Sequence, residues 1–155
     1  MRISYMVLPK QLCSRFTTRL GFYSCTVPVF EQLTLAKFME NGYFDRHINR
    51  MKKIYRQRRD ILCKKIADSK LRDFVNISGC EAGMHLLLTV KNGMNQNELL
   101  SSAAKKGVKV YGLSEYYSFP VGNMPENTIV LGFSGLTTEQ LIKGAKALEQ
   151  AWGIK

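Results

Sequence analysis

The sequence lacks the marks of a secreted, membrane-spanning or metal-holding chain. Its four cysteines, Cys13, Cys25, Cys63 and Cys80, form no C-x-x-C pair. Scattered in this way they give neither a zinc ribbon nor a disulfide framework, and four reduced thiols in the cytoplasm are expected. The two histidines, His47 and His85, have no third ligand at metal spacing. No apolar run is long enough to cross a bilayer. The residues after Met1 show no charged, apolar and small succession, so no secretory leader is expected. There is no internal repeat and no low-complexity stretch. Acidic residues are scarce, 12 against 23 lysines and arginines.

The resulting net charge of +11 is mostly local. Between Arg46 and Arg72 eleven lysines and arginines face only Asp60 and Asp68, so this segment alone carries +9. A basic stripe can attract nucleic acid. Without a recognisable DNA-reading motif it is read as the solvated face of a helix. A hydrophobic fraction of 45% and a charged fraction of 23% in 155 residues are enough for one globular domain with a real core.

Periodicity divides the chain into two kinds of segment. Residues 2–8 read as a buried strand ended by Pro9. The chain opens inside this strand, which points to a fragment. Residues 10–20 read as a short helix with Leu12, Phe16 and Leu20 on one face. A connection over 21–27 leads to Pro28, which suits the first turn of a helix running to about Asn41, and Asn41-Gly42 stops it. A long helix from about Phe44 to Ala67 carries Ile48, Met51, Tyr55, Leu62 and Ile66 on one stripe. Arg56, Arg58 and Arg59 lie where that stripe is interrupted or turned away. At ~1.5 Å per residue this helix is ~35 Å long, enough to bridge two domains or a subunit contact.

Beyond it the spacing predicts strands at 74–77 and 84–90, a helix over 95–106 capped by Asn95, and a short strand at 108–111. A polar and aromatic loop over 112–127, a strand at 128–133 and a helix over 137–152 capped by Thr137, with Glu139 nearby, complete it. Strand, strand, helix, strand, strand, helix makes a small α+β sandwich.

The order of these motifs resembles the C-terminal region of fold type I aminotransferases. The likeness is strongest to the aminotransferase-like effector domain of GntR-type regulators of the MocR subfamily. Met1-Arg-Ile-Ser-Tyr-Met-Val-Leu-Pro9 resembles the strand that follows the cofactor lysine in that group, and Val27-Pro28 through Phe38 its next helix. Gly42-Tyr-Phe-Asp-Arg46-His47 through Leu62 resembles its long linking helix. Gly83-Met-His85-Leu-Leu-Leu88 and Val130-Leu-Gly132-Phe133-Ser resemble its small-domain strands. The resemblance covers essentially the whole chain.

It implies an aminotransferase small domain, an α/β sandwich over 70–155. This is preceded by a linking helix over 44–69 and by a remnant of the large pyridoxal-phosphate domain over 1–43, namely one strand and two helices. It also implies that the Schiff-base lysine, the acid facing the pyridine nitrogen and the ring stacked on the cofactor all lie upstream of residue 1. A catalytic residue is therefore not expected in this chain, nor pyridoxal phosphate bound by it alone. The cofactor belongs to the full-length parent. Lys10 is a surface lysine and no substitute.

Within the resemblance, Arg2 matches the arginine that grips the cofactor phosphate, for which a planar and permanently charged fork is suited. The alternative is a strand-end arginine in water. Tyr5, on the opposite face, is expected in the core. Ser24 and Thr26 lie in the connection that reaches the neighbouring subunit's cofactor phosphate in related aminotransferases, and a hydroxyl there can donate. The alternative is a cap on the helix that starts near Pro28. His47 falls on the linking helix and His85 on a buried strand, where a satisfied core histidine is expected. One departure stands out: the arginine that clamps the substrate carboxylate in many of these enzymes falls at or near Val130, and no arginine follows Arg72.

Three readings follow. The parent is a regulator that binds pyridoxal phosphate and contacts DNA through a missing N-terminal domain. Or it is a plain amino-acid aminotransferase. Or the chain is a non-catalytic module whose basic helix binds a partner or nucleic acid. In the first two a homodimer, without membrane association, is expected.

Overall fold

A computed structural model describes residues 2–81, 83–118 and 127–152. The chain forms two units, Met1–Arg50 and Met51–Lys155.

The first unit has two helices, α1 over Lys10–Leu20 and α2 over Val29–Glu40, and the start of the long helix α3, Tyr43–Ala67. Each of the first two follows a proline, Pro9 and Pro28, whose fixed φ of −58° and −56° presets the entry into the helix. Asn41 and Gly42 end α2, with Gly42 in the left-handed region at φ 67°. No described residue before Leu62 is buried. The strand expected over 2–8 is not formed, and those residues carry no regular secondary structure and no ladder partners. A strand exists only through a neighbour, and none is supplied among the described residues. Tyr5 is accordingly 91% exposed, against the expectation of a core position.

The second unit holds the core. Four strands, β1 (Val75–Ser78), β2 (His85–Val90), β3 (Tyr111–Gly112) and β4 (Thr128–Gly132), pair antiparallel in the order β1-β2-β4-β3. Helices α4 (Gln96–Lys105) and α5 (Thr138–Ala151) follow β2 and β4. Strand alternation puts Leu86, Leu88 and Val90 of β2 and Ile129 and Leu131 of β4 in the same apolar cluster. There they meet Leu62 and Ile66 of α3, Leu99 and Ala103 of α4, and Leu141, Ala145 and Leu148 of α5. This is the expected α+β sandwich.

Trp152 closes the core at one end. It is 2% exposed, and its indole N–H donates to the Leu99 carbonyl at 3.3 Å. The caps are local devices. Asn95 and Glu98 form a reciprocal box at the start of α4. At α5 the partner of Thr137 is Gln140, not the nearby Glu139, because only the third residue of the helix reaches back to the cap. Of the strand predicted over 108–111 only Tyr111 is in a strand, which runs over Tyr111–Gly112, and a single 3-10 turn over Leu113–Tyr116 follows. The rest of the predicted 112–127 loop falls largely on residues 119–126, outside the described residues.

Candidate functional site

Arg2, Ser24 and Thr26 all lie in the first unit and all are exposed. Arg2 is on the segment before α1, and the two hydroxyls are in the connection between α1 and α2. Thr26 does not cap α2. Pro28 occupies the cap position, without a side-chain bond. The connection is held instead by Gln32, whose side-chain amide donates to the Val27 carbonyl at 2.8 Å and lies 3.6 Å from the Cys25 sulfur. A glutamine one turn into the helix reaches back to the chain entering it, a signal visible in sequence only as Pro28 followed four residues later by Gln32.

Further along this unit Phe38, Tyr43, Arg46, His47 and Arg50 line a groove of about 350 Å³. The Arg46 guanidinium sits 4.5 Å over the Tyr43 ring and donates to the Asn41 and Gly42 carbonyls at the end of α2, at 3.1 and 3.3 Å. It is thus engaged as a helix-end cation. His47 is exposed on α3 beside it.

The basic segment on α3 separates by depth in the second unit. Lys52, Lys53, Arg56, Lys64 and Lys65 are exposed, as a solvated helix face requires. Arg58 and Arg59 are half-buried. They occupy the turn between Tyr55 and Leu62, inside the apolar stripe, and each reaches a distant carbonyl. Arg58 donates to Ser134 and Arg59 to Cys80, the latter at 2.9 Å. Asp60 pairs with Arg59 at 2.7 Å and holds its pKa above the ordinary arginine value. In sequence these arginines only interrupt the stripe; the signal that they clamp two loops is their spacing, three and four residues after Tyr55 and before the core residue Leu62.

Above these clamps a cavity of about 490 Å³ opens among Lys52, Tyr55, Arg56, Arg59, Cys80, Glu81, Met84 and Phe133. Lys52, Arg56 and Arg59 face Glu81, and Asp60 pairs with Arg59, which leaves the cavity an excess of one positive charge beside an apolar wall. It can take an anion with an apolar part.

The sheet face away from the core carries a row across three strands, Leu87 opposite Val130 and Val130 opposite Tyr111. At the centre stands Val130, only 6% exposed, the residue that the resemblance sets at or near the carboxylate-clamping arginine. The row therefore presents apolar atoms, with the Lys109 ammonium 5.2 Å over the Tyr111 ring at its edge. His85, expected as a buried histidine, is exposed. It opens β2 on the same face as Leu87, one residue out of phase with the buried Leu86, and its ring lies against Gly132, where an added Cβ would come within 3.4 Å. No group of three or more metal-ligating side chains occurs among the described residues, and no described helix is long and apolar enough to cross a membrane.

No protein-family model matches the sequence. The chain is 38% identical to an uncharacterized HTH-type transcriptional regulator of Bacillus subtilis, YdeL, over 99% of its own length and 32% of the relative's. It is 27% identical to the probable rhizopine catabolism regulatory protein MocR of Rhizobium meliloti, over 98% of the chain and 30% of that protein. The chain thus spans about a third of the length of these relatives. Its fold matches that of LysN, the alpha-aminoadipate aminotransferase of Thermus thermophilus, with a TM-score of 0.74 at 19% identity, covering 94% of this chain and 36% of the enzyme. Relatives and fold agree: almost the whole chain is similar to about a third of these HTH-type and MocR regulators, and its fold is that of an aminotransferase segment.

Proposed function

We propose that this chain is the C-terminal part of a pyridoxal-phosphate-binding, aminotransferase-like effector domain in a GntR/MocR-type regulator. The observation that carries the reading is 38% identity to an HTH-type regulator along almost the whole chain, on an aminotransferase fold. Val130 supports a regulator over a transaminase. A valine offers no charge to a substrate carboxylate, whereas an arginine there would supply a two-pronged hydrogen bond.

In this reading residues 1–43 come from the large domain, 44–69 are the linking helix and 70–155 the small domain. Arg2 grips the cofactor phosphate in the longer protein, with Ser24 and Thr26 donating from the neighbouring subunit. These three phosphate donors are all exposed, so the described residues give them no enclosure of their own around a pyridine ring. Cofactor binding is therefore assigned to the full-length parent. That parent is a cytoplasmic homodimer, contacting DNA through a separate N-terminal domain.

The reading frame upstream of Met1 tests the assignment. A winged-helix segment followed by a large domain, with a lysine shortly before Arg2, is the expected finding. A large domain without any DNA-binding segment would overturn the regulator in favour of a transaminase. In the longer protein Arg2→Ala should weaken pyridoxal phosphate retention roughly tenfold or more, the loss of a charge-assisted hydrogen bond of about 1.5–3 kcal/mol. Unchanged retention would remove Arg2 from the site.

A further inference from the structure

Cys63 and Cys80 stand apart from the other two cysteines. Their sulfurs are 4.0 Å apart across 17 residues of chain, and both are half-buried, whereas Cys13 and Cys25 are exposed. Cys63 lies on α3, one turn beyond Arg59, and Cys80 lies in the connection between β1 and β2. The connection is held in place at this point. Arg59 binds the Cys80 carbonyl at 2.9 Å, and Gly79 turns the chain at φ 75°, a conformation open to glycine. Cys80 also lines the electropositive cavity, so it is reached from solvent, while Cys63 is not among the lining residues and sits behind it. None of this is used by the phosphate-binding or regulatory reading above.

We propose that Cys63 and Cys80 form an oxidation site, which hydrogen peroxide converts into a reversible intrachain disulfide. The Cys80 sulfur attacks one peroxide oxygen. The O–O bond breaks, one water leaves, and Cys80 becomes a sulfenic acid. The Cys63 sulfur then attacks the Cys80 sulfur, the S–O bond breaks, a second water leaves and the S–S bond forms. Two thiols give up two electrons, the peroxide accepts them, and both thiol protons end in water. A dithiol reductant reverses the change by exchange. The sulfurs must approach by about 2 Å to reach bonding distance near 2.05 Å. The product staples the β1–β2 connection to α3 and alters one wall of the cavity.

Chain statistics alone do not select this pair. Cys13 and Cys25 are separated by a similar length, and closure entropy changes slowly with loop size. Preference for Cys63–Cys80 is therefore a property of the fold, and denaturation is its control. The reduced full chain is exposed to stoichiometric hydrogen peroxide, quenched with N-ethylmaleimide, digested without reductant and mapped by mass spectrometry. In buffer the dominant product is expected to be the peptide linking Cys63 to Cys80, with Cys13 and Cys25 alkylated and full reversal by dithiothreitol. In concentrated urea the same treatment is expected to yield the Cys13–Cys25 link at comparable yield. In Cys63→Ser the Cys80 sulfenic acid is expected to persist and be trapped by dimedone. Equal pairing in buffer and in urea would overturn the proposal, and so would crosslinking through Cys13 or Cys25 with Cys63 and Cys80 left alkylated.

Discussion

The Arg58 guanidinium donates to the backbone carbonyl of Ser134, 76 residues further along the chain. It thereby joins the middle of α3 to the turn between β4 and α5. The donor is charged and half-buried, so the bond is of the stronger kind.

Arg58→Ala should destabilise the second unit by roughly 1.5–3 kcal/mol. Arg58→Lys should recover only part of this, because a flexible ammonium does not hold the donor geometry of the planar fork. Urea unfolding followed by tryptophan fluorescence reports on this unit, since Trp152 is the single tryptophan and lies in its core. Equal midpoints for wild type and Arg58→Ala would show the clamp to be idle.

Trp152→Ala should cost about 3–5 kcal/mol, the range for emptying a large buried aromatic position. Trp152→Phe should cost much less, chiefly the bond to the Leu99 carbonyl, about 1 kcal/mol. Thermal unfolding followed by circular dichroism checks both. A small effect from the alanine variant would mean that this end of the core collapses around the gap.

Limited proteolysis should cut the first unit first. Arg15, Arg19 and Lys37 are exposed on helices that bury no residue, whereas the core begins at Leu62. Trypsin at low ratio is expected to leave a resistant C-terminal fragment. Uniform resistance from residue 2 onward would contradict this ordering.

Self-association should be favourable. Val7, Phe22, Phe30 and Leu33 are 84%, 75%, 79% and 61% exposed. Covering apolar area is worth ~25 cal/mol per Å², and a symmetric pair is the commonest way for one chain to do so. The basic segment on α3 opposes contact, but its repulsion is screened beyond ~8 Å at physiological ionic strength. Sedimentation velocity should therefore show a dimer that strengthens with salt. A monomer at low and high salt, at tens of micromolar protein (on the order of ordinary dimer affinities), would count against it.

Alkaline pH should weaken the fold through Cys63. Burial, and then the neighbouring Cys80, push its thiol up to about 11 from the ordinary 9.0, with Arg59 opposing. The folded state thus prefers the protonated form more than the unfolded state does. This contribution is fully present below the unfolded value and is lost as pH rises from there towards the folded one. Wild type should lose more stability than Cys63→Ser between pH 9 and pH 11. Parallel curves would show the thiol to be unperturbed.

What the sequence made legible was local. Asn95 and Thr137 announce two helices because a cap and its partner lie within one turn. The stripe through Tyr55, Leu62 and Ile66 announces the face of α3 that enters the core. The failures are matters of partnership at a distance. Residues 2–8 have strand composition, but a strand needs a neighbour. The resemblance puts His85 on a buried strand, but alternation sets it out of phase with the buried Leu86. Arg58 and Arg59 were read by charge, and their acceptors lie in loops that only the fold brings near. At the cofactor end, the resemblance singled out Arg2, Ser24 and Thr26, while the structure shows only their exposure.

The antiparallel sheet also bears on the order in which the chain folds. β1 and β2 meet across a short connection, with Ser78 opposite Leu87. β2 and β4 meet across 39 residues, where Thr89 faces Thr128 and their hydroxyls lie 3.1 Å apart. By the slow logarithmic growth of closure entropy, the longer loop costs about 1.3 kcal/mol more to close than the hairpin. The hairpin is therefore the local event and the docking of β4 the slow, non-local one. Because β4 lies between β2 and β3, two of the three strand interfaces wait on that single closure, and substitutions at Thr89 or Thr128 should act on the folding rate.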